Sequence, residues 1–266
     1  MATNQFDGLI YKRYFINKDQ REKILFYLRG LNPIWEMRYS KNNPPPAGDE
    51  QRELLRPVYW LGNWQFACLG YFHPPKFTMN TCVLAETFPP VLQNIVNSVE
   101  ALVRKHYSNL DLPKDWHLNT CLINFYGSKI IDGKKVDTAR VGEHKDFEPG
   151  PVASLSIGDR AFFQFISGQK KVYTETWLED SSMLIFGGKK WKETYFHRVQ
   201  RVEKKRQEDF KLTIDSFETR RINFTFRYVP KEFLVRYQDL PAPQKEDIEK
   251  YVLELSKNST YWKNFS

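Results

Sequence analysis

Cysteine is scarce in this chain: Cys68, Cys82 and Cys121 are its only three, and no C-x-x-C pair occurs. An odd number at wide spacing excludes both a disulfide framework and a thiolate zinc site. Small buried apolar side chains are the expected role for all three. Long apolar runs are also missing. No stretch approaches the ~18–20 uninterrupted apolar residues that a membrane span needs. The opening MATNQFDGLIYKRYF lacks the basic, apolar, then small order of a secretory signal. The expectation is a soluble intracellular protein, cytoplasmic or nuclear, with no membrane partner and a monomeric state. Internal repeats and low-complexity tracts are absent as well. Acidic charge is in deficit: 32 Asp and Glu face 40 Lys and Arg, for a net charge of +8 and a pI near 9.2. That balance suits polyanionic partners.

Aromatics, by contrast, are abundant. Seven Trp, 14 Tyr and 20 Phe in 266 residues exceed what a core of this size needs, and spare rings beside basic charge suit stacking on bases. Residues 17–30 read as a helix, capped by Asn17, apolar at Ile24, Leu25 and Leu28, and ended by Gly30. The stretch 40–57, rich in Pro, Asn and charge, reads as an exposed loop. After Pro89-Pro90 a second helix follows from Leu92, Ile95, Val96, Val99, Leu102 and Val103 at helical spacing up to about Tyr107.

From Leu118 the pattern changes to short β-branched and aromatic runs: 118–126, 152–158, 161–166, 171–178, 182–187, 194–201 and 221–228. Evenly spaced short strands indicate a sandwich or barrel-like sheet pair. In the tail, 243–258, Ile248, Val252 and Leu255 suit a helix packed on the outside. The expected fold is α+β, a double-sheet jelly roll buttressed by helices. Its expected divisions are 1–115, N-terminal helices and a substrate lid; 116–230, the jelly-roll core; and 231–266, a helical tail.

Two histidines stand out. His144-Lys145-Asp146 sets an imidazole and a carboxylate at i and i+2. On a strand both point to one face, roughly 6–7 Å apart at Cα. His197 lies on another expected strand, YFHRVQ. Two His and one carboxylate form the facial set of non-haem iron(II) oxygenases, leaving three coordination positions for a bidentate co-substrate and O2. The bare H-x-D pattern equally fits a surface pair or a His2Asp zinc hydrolase.

The last strand adds a second signal. In Arg221-Ile-Asn223-Phe-Thr225-Phe-Arg227-Tyr one face carries Ile222, Phe224, Phe226 and Tyr228. The other carries Arg221, Asn223, Thr225 and Arg227. Buried arginines need anions. Separated by about 20 Å at Cα by strand rise, the two could hold a small dicarboxylate at both ends through their guanidinium forks. Asn124 and Tyr126 share a strand face and can donate to carboxylate oxygens, although a strand-end Asn and a core Tyr explain them as well.

These residues together resemble the AlkB family of 2-oxoglutarate dioxygenases. The resemblance runs from about Cys121 to Arg227, with weaker matches back to Leu61. Its ordered strings are N-F-Y at 124–126, H-K-D-F-E at 144–148, S-L-S-I-G at 154–158 and F-F-Q-F at 162–165. They continue with F-G-G at 186–188, F-H-R-V-Q at 196–200, L-T-I-D at 212–215 and R-I-N-F-T-F-R at 221–227.

The resemblance implies Fe(II) as cofactor, 2-oxoglutarate and O2 as co-substrates, and alkylated DNA or RNA as substrate. Formaldehyde, succinate and CO2 would be the products. It implies His144, Asp146 and His197 as iron ligands. Arg221 with Asn223 and Tyr126 would hold the far carboxylate of 2-oxoglutarate, with Arg227 and Asn124 near its chelating end. Glu148 would touch the target base, and the lid-like L-G-N-W-Q-F-A-C-L-G-Y would offer Trp64 and Tyr71 for stacking. Phosphates would meet Lys134, Lys135, Arg140, Lys189, Lys190, Lys192 and the 201–206 run. Alternatives are the same oxidation on a protein side chain or small molecule, or a non-catalytic nucleic-acid-binding member. The stretch 127–140 is extra relative to the compact bacterial pattern.

Overall fold

A computed structural model describes the whole chain except residues 1–5, 40, 42–43, 66–80, 108–111, 201–209, 211, 213 and 215. In chain order come β1 (Leu9–Lys12), α1 (Lys18–Arg29), β2 (Val58–Leu61), β3 (Asn63–Trp64), β4 (Cys82–Leu84) and α2 (Pro90–His106). The strands β5 (Thr120–Ile131), β6 (Lys134–Asp137), β7 (Val141–His144), β8 (Val152–Gly158) and β9 (Ala161–Ile166) follow. Then come β10 (Val172–Leu178), β11 (Ser182–Phe186), β12 (Phe196–Val199), β13 (Phe217–Arg227) and β14 (Leu234–Val235). The chain closes with α3 (Ala242–Ser256) and α4 (Thr260–Lys263).

Among the described residues the strands form three sheets. The large one runs β1-β11-β8-β13-β5-β2, with β6 added to β5. Facing it is β10-β9-β12-β7, and the two sheets make a double-stranded β-helix, or jelly roll. A small sheet, β14-β4-β3, joins the C-terminal part of the chain to the N-terminal part.

Alternation along each strand builds two cores. On β11, Met183 and Ile185 join the large cluster under the helices, while Leu184 and Phe186 join the smaller one with Phe163, Phe165 and Leu178 between the sheets. Helices α1 and α2 lay Ile24, Leu28, Leu92, Ile95, Val96 and Val99 on the outer face of the large sheet, as the helical spacing predicts. Asn17 makes a reciprocal capping box with Gln20. Gly30 ends α1 in a right-handed conformation, not the left-handed one that a glycine cap favours.

Some expected boundaries shift. Both edge strands of the large sheet, β1 and β2, come from before residue 116. The extra stretch 127–140 lengthens β5 and returns as β6 through Asp132-Gly133, whose φ values of 50° and 72° suit a tight hairpin turn. A π-helical turn, Lys189–Thr194, takes the start of the run expected at 194–201. The tail is the expected helix, with Ile248, Val252 and Leu255 buried in the large cluster. Cys82 and Cys121 are buried, as expected, and neither is in a disulfide; Cys68 lies outside the described residues.

Candidate active site

The mouth of the jelly roll opens on a cavity of about 840 Å³ that the strand faces line from both sheets. At one end sits the histidine pair. β12 and β7 are hydrogen-bonded neighbours in which His197 stands directly opposite His144, and their rings lie 4.2 Å apart. Contrary to the expectation from the sequence, Asp146 is not on that strand. β7 ends at His144, and the carboxylate reaches back from the following loop. One ligand atom from each of the three residues lies within 4.8 Å of the others.

Each side chain is prepared to bind a cation. His144 Nδ1 is 2.8 Å from the Gly142 carbonyl, a contact that orients the ring and leaves Nε2 as the nitrogen to face a metal. Burial first, then the neighbouring His144, push the His197 pKa down to about 3, so that imidazole is neutral. Burial opposes ionisation of Asp146, but the Arg227 guanidinium overcomes it and holds the carboxyl well below the usual range. Arg227 clasps one oxygen, Oδ1, through Nε (3.0 Å) and Nη2 (2.8 Å). Oδ2 is buried without a hydrogen-bond donor and lies 3.4 Å from His197 Nε2. An orphaned carboxylate oxygen beside two histidine rings fits a divalent metal.

That donor set alone fits zinc as well as iron. The rest of the cavity separates them. Arg221 is 1% exposed, and it donates to the Ser156 hydroxyl (3.0 Å) while its Nε and Nη1 have no acceptor. No described carboxylate pairs with it, and its guanidinium rests on the Tyr126 ring at 4.9 Å. A second arginine, Arg56, covers the same ring at 5.1 Å and donates to Asn124 Oδ1 (2.7 Å). A buried guanidinium without an anion is costly, so this end of the cavity is built for a carboxylate.

Other expected site residues fall out differently. Asn223 is committed to Ser154 (2.8 Å), the Leu155 carbonyl (3.0 Å) and Thr225 (2.9 Å), so it ties β13 to β8 beside the cavity. Glu148 is buried, accepts from Gln65 (2.8 Å) and leaves Oε2 without a partner. Trp64 lines the cavity but is 0% exposed. Its ring is held edge-on by Tyr251 and Trp262, and its N–H goes to Glu36. At that burial it is a core aromatic. Tyr71 and the 201–206 run lie outside the described residues. Of the expected basic surface, Lys134, Lys135, Arg140 and Lys189 are exposed. Lys192 is instead partly buried, with Nζ on the Glu148 carbonyl (2.8 Å).

Sequence reasoning missed Arg56, which nothing distinguishes from the other charges of the 40–57 loop. It also missed Glu36, whose one visible signal is that it is a lone acid in the apolar run PIWEM.

Among curated proteins none matches the chain. The solved structure of OsALKBH1 shares the fold at 23% identity and a TM-score of 0.53, covering 83% of this chain and 98% of its own. An oxidoreductase of the 2OG-Fe(II) oxygenase family from Burkholderia pseudomallei aligns at 11% identity and a TM-score of 0.46, covering 82% of this chain and 84% of its own. No described helix is long and apolar enough to cross a membrane. The family model of the 2OG-Fe(II) oxygenases matches residues 8–227, a span that includes the histidine pair, Asp146 and both cavity-facing arginines of β13, and the chain belongs to that superfamily, whose members use Fe(II), 2-oxoglutarate and O2.

Proposed function

We propose that this dioxygenase oxidatively removes N-alkyl groups from nucleic-acid bases. His144, Asp146 and His197 would hold Fe(II), and Arg221 would take the far carboxylate of 2-oxoglutarate. The observation that carries the site assignment is the buried Arg221 without a carboxylate partner among the described residues, in one cavity with the orphaned Asp146 oxygen. When bound, Fe(II) with 2-oxoglutarate and O2 supplies a two-electron oxidation of a C–H bond, releasing succinate and CO2.

The chain's own residues orient and enclose that chemistry. Tyr126, between Arg56 and Arg221, fixes the direction of the Arg221 fork. Arg227 holds Asp146 Oδ1, so that Oδ2 stays turned towards the histidines. Leu122, Phe163, Leu178 and Phe186 line the cavity with apolar surface and keep water from the reacting carbon. Hydroxylation of an N-methyl group gives a hemiaminal that falls apart to formaldehyde and the free amine, so no general base is required at the carbon.

Three features support a nucleic-acid substrate: the +8 net charge, the exposed Lys134, Lys135, Arg140 and Lys189, and the fold shared with OsALKBH1, an AlkB homologue by its name. A base flipped from its strand suits a cavity of this size. The test is turnover on N-methylated single-stranded DNA and RNA beside a methylated peptide of equal length. Formaldehyde matched to succinate on the oligonucleotides alone is the expected result. Turnover on the peptide alone would replace the substrate class and keep the chemistry.

A further inference from the structure

One wall of the cavity is built by the N- and C-terminal parts of the chain and has no part in the chemistry above. It is built by Glu36 and Met37 before β2, Trp60 on β2, Trp64 on β3, and Tyr251 on α3. Glu36 is 6% exposed. Its Oε1 accepts the indole N–H of Trp60 (2.9 Å) and that of Trp64. Its Oε2 accepts from no described residue. Arg56 is the cation whose field reaches it, and that side chain is committed to Asn124.

Glu86 shows what a purely structural carboxylate looks like in the same protein. Its Oε1 takes Tyr59 (2.8 Å) and Tyr27 (3.4 Å), and its Oε2 takes Ser259 (2.6 Å), so both oxygens are filled from within the chain. At Glu36 one oxygen is left over beside the cavity. Two indoles would be equally well satisfied by an amide carbonyl, so their hydrogen bonds do not explain a carboxyl here. Burial raises its pKa to about 7, more than the two indole hydrogen bonds and the field of Arg56 lower it. Next to it the Tyr251 hydroxyl accepts the Met37 N–H (2.7 Å) and keeps its own proton to give.

We infer that Glu36 is a specificity-determining residue whose free oxygen accepts an N–H of the primary substrate. Tyr251 donates to an acceptor beside that N–H. The wall therefore selects a planar group with an amide- or amidine-like edge. This deepens the functional reading and rests on its premise that the primary substrate enters this cavity. A site that must fill a buried acceptor discriminates strongly against ligands lacking the donor.

The test uses E36Q in the full chain, loaded with Fe(II) and 2-oxoglutarate. The amide keeps an oxygen for both indoles but turns an NH2 into the cavity, replacing an acceptor by a donor. Its melting temperature reports whether the wall is intact. Two readouts follow: steady-state kinetics on a methylated single-stranded oligonucleotide, and anaerobic binding of benzamidinium followed by indole fluorescence. In E36Q the KM should rise and benzamidinium binding weaken, each by about tenfold, while kcat falls less. In the wild type, benzamidinium should bind and acetophenone, similar in shape without N–H donors, should not. Equal benzamidinium binding by the two proteins, or equal binding of the two probes by the wild type, overturns the inference. If neither protein turns over the oligonucleotide, the nucleic-acid reading fails by itself and the benzamidinium comparison still decides Glu36.

Discussion

At Arg221 two conditions meet that protein interiors ordinarily keep apart: a permanent charge and, among the described residues, the absence of a counter-ion. The predicted consequence is two-sided. Arg221→Met should weaken 2-oxoglutarate binding to the Fe(II)-loaded protein by about 100-fold, the scale for losing one partner of a buried charge pair. Without 2-oxoglutarate the same variant should melt no lower than wild type, because an uncompensated charge has been removed. Arg227 acts through Asp146. Arg227→Lys keeps the charge but loses the two-pronged hold on Oδ1, and Fe(II) affinity should fall about 10–100-fold, as for other changes behind a metal ligand. Glu36 gives a pH signature. Its pKa stands near 7 in the folded protein against an ordinary 4.5, so the folded state binds the proton more tightly. The associated stability is complete below about pH 4.5 and is lost as pH rises through about 7. By linkage the change is on the order of 3 kcal/mol, and urea titrations of wild type and E36Q should differ by it across that window. At this scale the sequence revealed residues that strand periodicity orders. His144, Arg221 and Arg227 stand out by spacing. Glu36 and Arg56 gain their roles only from tertiary neighbours, and Trp64 loses its expected role for the same reason.

Among the elements, β13 governs the geometry. Its pairing with β5 slips between Thr219 and Arg221, so Arg220 is the extra residue of a bulge. Both arginines are thereby buried with different partners. Arg220 reaches Asp137 (2.8 Å) and Asp159 (3.6 Å), while Arg221 turns into the cavity. Opposite the bulge, a Cβ at Gly127 would sit 1.8 Å from the Glu218 carbonyl. Gly127→Ala should therefore destabilise the protein by roughly 2–3 kcal/mol, within the range for overpacking, and should weaken 2-oxoglutarate binding, because Tyr126 and Arg221 flank the displaced backbone. Thermal melts and 2-oxoglutarate titration check the two effects. The long elements were legible: α1, α2, α3 and the polar face of β13 each repeat one period over several turns or residues. β1, β2 and β7 are four residues each, too short for alternation to register. The hairpin of β5 and β6 was visible only as an insertion, although its Asp-Gly pair marks the turn.

Over the whole molecule the chain closes on itself. α3 and α4 bury Ile248, Val252, Leu255 and Trp262 in the cluster that α1 and α2 share, and Lys41 is ion-paired with Glu246 across the cavity rim. The cavity is thus bounded by segments from both ends of the sequence, which strand and helix patterns read one at a time cannot bring together. The basic surface acts at the same scale. If it meets phosphates, the KM for an oligonucleotide should rise steeply between about 50 and 200 mM salt, and that for a free methylated nucleoside should not. The claim on which the rest depends is that one cavity holds a metal at His144, Asp146 and His197 and a dicarboxylate at Arg221. The direct measurement is anaerobic titration with Fe(II) and then 2-oxoglutarate, followed by absorbance and calorimetry. The account predicts one Fe(II) per chain, lost in His144→Ala, and 2-oxoglutarate binding that requires the metal and is weakened in Arg221→Met. Metal binding that survives His144→Ala, or 2-oxoglutarate binding indifferent to Arg221, would contradict it.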